Sequence, residues 1–106
     1  MDIVEKIMSM IAFSGEGRLY STNAIRKAQE GGFEEAQELL SKCEESLLKA
    51  HQAHTELLAY EAQGNSLEVS LLMVHGAEHL SNAEVIFEIS KEFIIMYKVV
   101  KNNENL

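Results

Sequence analysis

The sequence predicts an all-α protein, an antiparallel up-down-up three-helix bundle, and three observations carry that expectation. Proline is absent, so no residue breaks a helix from within. The breaks at Gly31-Gly32 and Gly64-Asn65-Ser66 leave three segments of about 30 residues, each about 45 Å long at 1.5 Å rise per residue. Within the segments, apolar residues recur in alternating steps of three and four, the spacing of a packed helix face. A length of 106 residues with 46% hydrophobic content predicts a single domain, 1–106, with a real core.

The first segment carries Ile3, Val4, Ile7, Met8, Met10, Ile11 and Phe13, then the small residues Ser14, Gly15 and Gly17, then Leu19, Tyr20, Ala24, Ile25 and Ala28. Each glycine inside a helix costs about 1 kcal/mol relative to alanine, so these glycines predict a close approach by a neighbour. The second segment places Phe33, Ala36, Leu40, Cys43, Leu47, Ala50, His54 and Leu57 on one seam, interrupted only by His54. Cys43 falls in that pattern as a small core hydrophobe. The third segment repeats the spacing with Leu72, His75, His79, Asn82, Ile86, Ile89, Phe93, Met96 and Val100, which assigns core positions to three polar residues in succession. A second stripe, Leu67, Leu71, Val74, Glu78, Ser81 and Val85, lies beside the first. Three slender helices cannot bury so much apolar surface alone, so a homo-oligomer is expected. The tail from Lys101 to Leu106 lacks an apolar pattern and is expected to fray.

With 9 basic against 17 acidic residues, a net charge of -8, the chain lacks the electrostatic footprint of a nucleic-acid or anionic-membrane binder. Its N-terminus begins acidic, with no basic n-region and no apolar run of 18 residues, so a soluble, cytoplasmic protein is expected. The glutamates Glu34, Glu35, Glu38, Glu44 and Glu45 read as a solvated helix face. No Walker-type loop exists, because GEG at Gly15 to Gly17 lacks the following Lys-Ser/Thr.

The histidines carry the chemistry. His75 and His79 stand one helical turn apart and aim the same way, with Glu78 and Asn82 beside them. If the second and third helices turn tightly near Asn65, His51 comes level with His79 and His54 level with His75 or Gly76. The first helix then borders this layer with Ser14, Gly15 and Gly17, and Met10, Phe13 and Leu71 form an apolar rim. Two chemistries suit imidazoles so arranged. A His-x3-His pair plus a third histidine can bind a divalent metal. Alternatively, a neutral ring nitrogen attacks phosphorus and holds the phosphoryl group as a phosphoramidate, while a second histidine donates to its oxygens. A metal-binding or adaptor module without transfer chemistry remains the alternative at this point.

The motif SLLMVHGAEHL at Ser70 to Leu80, together with SGEGR at Ser14 to Arg18, the Gly-Gly-Phe turn, and KAH with Thr-x-Leu-Leu around His51, resembles the lactose/cellobiose-specific enzyme IIA family of the bacterial sugar phosphotransferase system. The resemblance covers nearly the whole chain. It implies a three-helix subunit assembling into a homotrimer, and a phosphotransferase component that accepts phosphate from the histidine-containing phosphocarrier protein. The phosphate then passes to a cysteine of the cognate IIB component, for uptake of a β-linked disaccharide through the membrane-embedded IIC transporter. The family's phosphorylated histidine falls on His75 and its second active-site histidine on His79. His51, His54, Ser14 and Thr55 are supporting candidates. The family commonly has a glutamine where Ala77 stands, an aspartate where Glu78 stands and a glutamine where His54 stands. No cofactor is required by this chemistry; the family's aspartate can gather around a metal on the trimer axis, which makes Glu78 the candidate ligand for one divalent cation such as Mg.

Overall fold

Local signals in the chain set where each helix begins and ends. Asp2 opens α1 (Ile3–Gln29): its carboxylate accepts the backbone N–H of Glu5 at 3.1 Å, satisfying a donor that the first turn leaves free. Arg26 and Lys27 occupy the last turn, where cations complement the negative end of the helix. The helix closes in a Schellman motif: Gly31, at φ +88°, donates to the Ala28 carbonyl at 3.0 Å, and Gly32 donates to that of Lys27 at 2.8 Å. Only glycine takes that left-handed conformation without strain. Glu34 and Glu35 fill the first turn of α2 (Phe33–Ala62). At its end Gly64, at φ +99°, donates to the Glu61 carbonyl, and the side-chain amide of Asn65 donates to the Tyr60 carbonyl at 3.0 Å. Ser70 caps α3 (Leu71–Glu104) by accepting the Met73 N–H at 3.1 Å.

These assignments come from a computed structural model that describes residues 1–104. The three helices run up, down and up, 62 Å along the long axis and 20 × 16 Å across it. At one end Ile7 and Met10 of α1 meet Ala50, Ala53 and Leu57 of α2 and Leu80 of α3. At the other, Ala24 and Ala28 meet Ala36, Leu40 and Ile94. Cys43, Leu47 and Ala83 join the two. The expected tail is helical as far as Glu104 and exposed there; residues 105–106 lie outside the described residues.

Small and polar residues fix the register at mid-length. The Ser21 hydroxyl lies 3.0 Å from the Cys43 thiol, and the Ser90 hydroxyl donates to the Ile86 carbonyl at 2.7 Å and reaches the Ser21 carbonyl at 3.4 Å. Burial pushes the Cys43 thiol above its ordinary pKa, with the Ser21 hydrogen bond opposing. A Cβ on Gly17 would stand 3.0 Å from Leu47 Cδ2, so this glycine permits the expected close approach, between α1 and α2. Gly15 faces open space.

The third helix departs from the expected seam by one residue. Its inward stripe is Gly76, Leu80, Ala83, Ser90 and Ile94, not His75, His79, Asn82, Ile89 and Phe93. Small side chains on α3 face α1, where they let the backbones draw near. The large apolar residues Val74, Val85, Ile89, Phe93, Met96 and Val100 stay exposed in a continuous outer stripe. The excess apolar surface on this helix is therefore real, and it lies outside the core of a single chain.

Candidate phosphoryl-transfer site

Ser70 starts α3 where it does, and that start sets the position of the two histidines. His75 lies in the second turn and His79 in the third. Both occupy the helix face next to the inward stripe, so His75 is exposed and His79 half-buried. They were expected at core positions; the one-residue shift in register brings Gly76 inward and leaves the imidazoles at the edge. Gly76 is the pivot of this arrangement, because a Cβ there would stand 2.7 Å from Met10 Cε and 3.1 Å from Ile7 Cγ2. With α1 pressed against its back, this stretch of α3 is a rigid mount for its two rings.

The rings are in contact. His75 Nε2 and His79 Nε2 are 3.1 Å apart, a hydrogen bond in which one ring nitrogen donates and the other accepts. The ring centroids are 4.4 Å apart and the planes cross at 75°, an edge-to-face packing. Whichever ring holds its proton on Nε2, the other must present a lone pair at Nε2 and carry its proton on Nδ1. A neutral nitrogen held this way is a nucleophile with a hydrogen-bond donor alongside.

The remaining expected residues stand apart from the pair. His51 contacts the Glu84 carboxylate across the α2–α3 interface, about one turn farther along α3 than the expected level at His79. The cause is the connection: α2 ends at Ala62 and α3 starts at Leu71, so the chain crosses over through residues 63–70 rather than through a tight turn at Asn65. His54 lines a hollow with Leu57, Leu58, Leu67, Met73 and Ala77, on the α2 side of α3. Ser14 is buried in α1 and its hydroxyl has no hydrogen-bond partner among the described residues. Thr55 is exposed, about half a turn around α2 from the buried Ala53 and Leu57. Of the expected rim, Leu71 is exposed and Phe13 partly so, whereas Met10 is fully buried in the core beneath Gly76.

Glu78 stands exposed on the outer stripe between Val74 and Val85. Among the described residues no three histidine, cysteine, aspartate or glutamate side chains are grouped to hold a metal ion. A single chain therefore offers Glu78 as one oxygen donor, chemically suited to a hard cation and in need of further carboxylates from elsewhere. The contribution of Gly76 was not anticipated from the sequence. Its signal was a small residue between the two histidines, on the face where the helix had to meet a neighbour.

The family model of the phosphotransferase-system lactose/cellobiose-specific IIA subunit matches residues 5–98. The lactose-specific EIIA component of Streptococcus mutans is 35% identical over 89 residues, 84% of this chain and 86% of that protein. The lichenan-specific phosphotransferase enzyme IIA component of Bacillus subtilis is 39% identical over 94 residues, 89% of this chain and 86% of the other. Among solved structures, the cellobiose-specific enzyme IIA of Bacillus anthracis superposes with a TM-score of 0.93 at 33% identity, covering 96% of this chain and 94% of that one. The chitobiose IIA of Escherichia coli, solved in complex with HPr, gives 0.83 at 28% identity, covering 95% and 98%. Among the described residues no helix is long and apolar enough to cross a membrane. A three-helix chain matched over this span, with paired histidines at the head of its third helix, belongs to the lactose/cellobiose-specific enzyme IIA family of the sugar phosphotransferase system.

Proposed function

We propose that this protein is a cytoplasmic phosphoryl carrier in which His75 accepts phosphate from the histidine-containing phosphocarrier protein and passes it to a cysteine of a IIB component. The observation that supports this reading is the contact between two ring nitrogens at 3.1 Å on a mount braced by α1. His79 carries its proton on Nε2 and donates it toward His75, which leaves His75 Nε2 with the attacking lone pair. As the donor protein docks, that lone pair forms the new N–P bond, and the P–N bond to the donor's imidazole breaks. The His79 N–H turns from the His75 nitrogen to a phosphoryl oxygen, a charge-assisted hydrogen bond that strengthens as negative charge gathers there. Onward transfer reverses the geometry: a thiolate on the IIB component attacks phosphorus, the N–P bond breaks and a P–S bond forms.

Carriage has to be reversible, so the site must hold the phosphoryl group loosely. The exposure of His75 suits a group handed between two proteins in turn. The outer stripe of Val85, Ile89, Phe93 and Met96 supports assembly into a homotrimer about α3, since a stripe of this length invites coverage by equal stripes on other copies. In such an assembly Glu78 from each subunit would face its mates. Three converging carboxylates would be neutralised by protons or by one divalent cation such as Mg. The family's sugars, and the names of relatives specific for lactose, lichenan and cellobiose, support a β-linked saccharide as the transported substrate.

The test is to incubate the protein with phosphoenolpyruvate, the general phosphotransferase proteins and the phosphocarrier. Acid-labile, base-stable phosphate is expected on the wild-type chain, and none on His75→Ala with unchanged helicity. Persistent labelling of that variant overturns the assignment.

A further inference from the structure

We propose that the Nε2 atoms of His75 and His79 also form a two-ligand chelate for a zinc ion, and that the bound ion blocks phosphoryl acceptance by occupying the attacking nitrogen. The blocking half rests on the reading of His75 as the phosphoryl acceptor; the chelate does not.

Zinc binds imidazole nitrogen at roughly 2.0–2.1 Å. Two such bonds ending on nitrogens 3.1 Å apart subtend an angle of roughly 100° at the metal, between the octahedral and tetrahedral values. The spacing that fits a shared proton therefore also spans a shared ion, which the rings reach by turning about their side-chain bonds until both Nε2 lone pairs converge on it. Their centroids, at 4.4 Å, lie farther apart than the nitrogens, so the Nε2 corners are turned toward each other. Both ligands project from one helix a turn apart, the spacing that metalloprotease helices use for zinc. Gly76, packed against Ile7 and Met10, holds the backbone between them, so little ordering remains to be done when the ion arrives.

The donor set also selects the ion. Two imidazoles favour zinc and its late first-row neighbours over magnesium or calcium, which take oxygen ligands. Entry needs no net proton loss from a neutral pair: the ring holding its proton on Nε2 shifts it to Nδ1, and both nitrogens then present lone pairs. The described residues supply only these two ligands, and the exposure of His75 leaves the other coordination positions to water. His51 is no competitor for the ion within the pair, because it lies against Glu84 on the α2 side of α3.

The experiment is a zinc chloride titration of the unphosphorylated full-length protein, followed by calorimetry and by nitrogen NMR of the histidine rings. One ion per chain is expected, with the His75 and His79 ring resonances shifting and those of His51 and His54 unmoved. His75→Ala and His79→Ala should each weaken binding by more than about tenfold, since losing a direct ligand costs at least what losing an outer-shell partner does. His51→Ala should bind like the parent. Equal binding by the parent and the His79→Ala chain, or shifts confined to His51, would overturn the chelate. In the second arm, zinc at saturating occupancy should stop labelling by the phosphocarrier, and a chelator should restore it. Undiminished labelling of the zinc-saturated protein would overturn the block. Zinc binding with no labelling in any condition would instead sink the carrier reading and leave the chelate standing.

Discussion

Replacing Gly76 by alanine puts one methyl group where the structure has least room for it. The new Cβ would lie 2.7 Å from Met10 Cε and 3.1 Å from Ile7 Cγ2. Carbon atoms prefer roughly 3.5–4.0 Å, so a neighbour must retreat by about 1 Å. A methionine tip usually can, but Met10 is fully buried and Ile7 is 2% exposed, with a β-branched side chain held to one rotamer by its helix. Overpacking of this kind costs about 1–3 kcal/mol, and the better helix propensity of alanine returns about 1 kcal/mol. The net expectation is a loss of about 1 kcal/mol, or roughly 5 °C in Tm for a domain of this size. Thermal and urea unfolding followed by circular dichroism measures it, at fixed protein concentration so that assembly does not shift the comparison. The same substitution in a Met10→Ala background should cost nothing or stabilise, because the truncated side chain leaves the space that the methyl needs. A Gly76→Ala chain more stable than the parent, with an equal effect in both backgrounds, would refute the close packing of α3 on α1.

Three further outcomes follow from the site and the core. His79→Ala should still be labelled on His75 but about ten- to hundredfold more slowly, the loss of one hydrogen bond to a charged group at roughly 1.5–3 kcal/mol; His79→Gln, which keeps an N–H donor, should recover part of that rate in a single-turnover assay. Because burial raises the Cys43 pKa, the folded state holds this proton more tightly than the unfolded chain does. Stability should be full below the ordinary thiol pKa and fall as pH rises through it, a slope that Cys43→Ala removes in alkaline unfolding curves; the native thiol should also react with maleimide far more slowly than the unfolded one. Ile89→Glu, on the exposed stripe of α3, should leave helicity intact and shift the protein to a smaller species in sedimentation analysis.

The fold was legible because its breaks are chemical: Gly31 and Gly64 stand at positive φ, and Asn65 closes the end of α2 with its side chain; the caps at Asp2 and Ser70 emerged only in the structure. The α2 seam was legible because Leu40, Leu47 and Leu57 are both large and inward. The α3 seam misled for the opposite reason. Its inward residues Gly76, Ala83 and Ser90 are small, since close helix contact needs small side chains, while Ile89, Phe93 and Met96 face outward. A pattern built on large apolar residues therefore found the outer surface and drew His75 and His79 into it. The pairing of those two histidines survived the error, because one turn of helix separates them in any register. The level of His51 depended on the length of the α2–α3 connection, which no local pattern in residues 63–70 reports, whereas His54, beside Met73 and Ala77, stays near the expected level of His75.

The central claim is that His75 Nε2 is the atom that carries phosphate. Long-range proton–nitrogen NMR of the chain after labelling by the phosphocarrier tests it most directly, by showing which ring nitrogen couples to phosphorus. A single phosphorylated nitrogen is expected, Nε2 of His75, with the His79 ring perturbed and His51 and His54 unchanged. Phosphate on Nδ1 of His75, or on any other histidine, would contradict it.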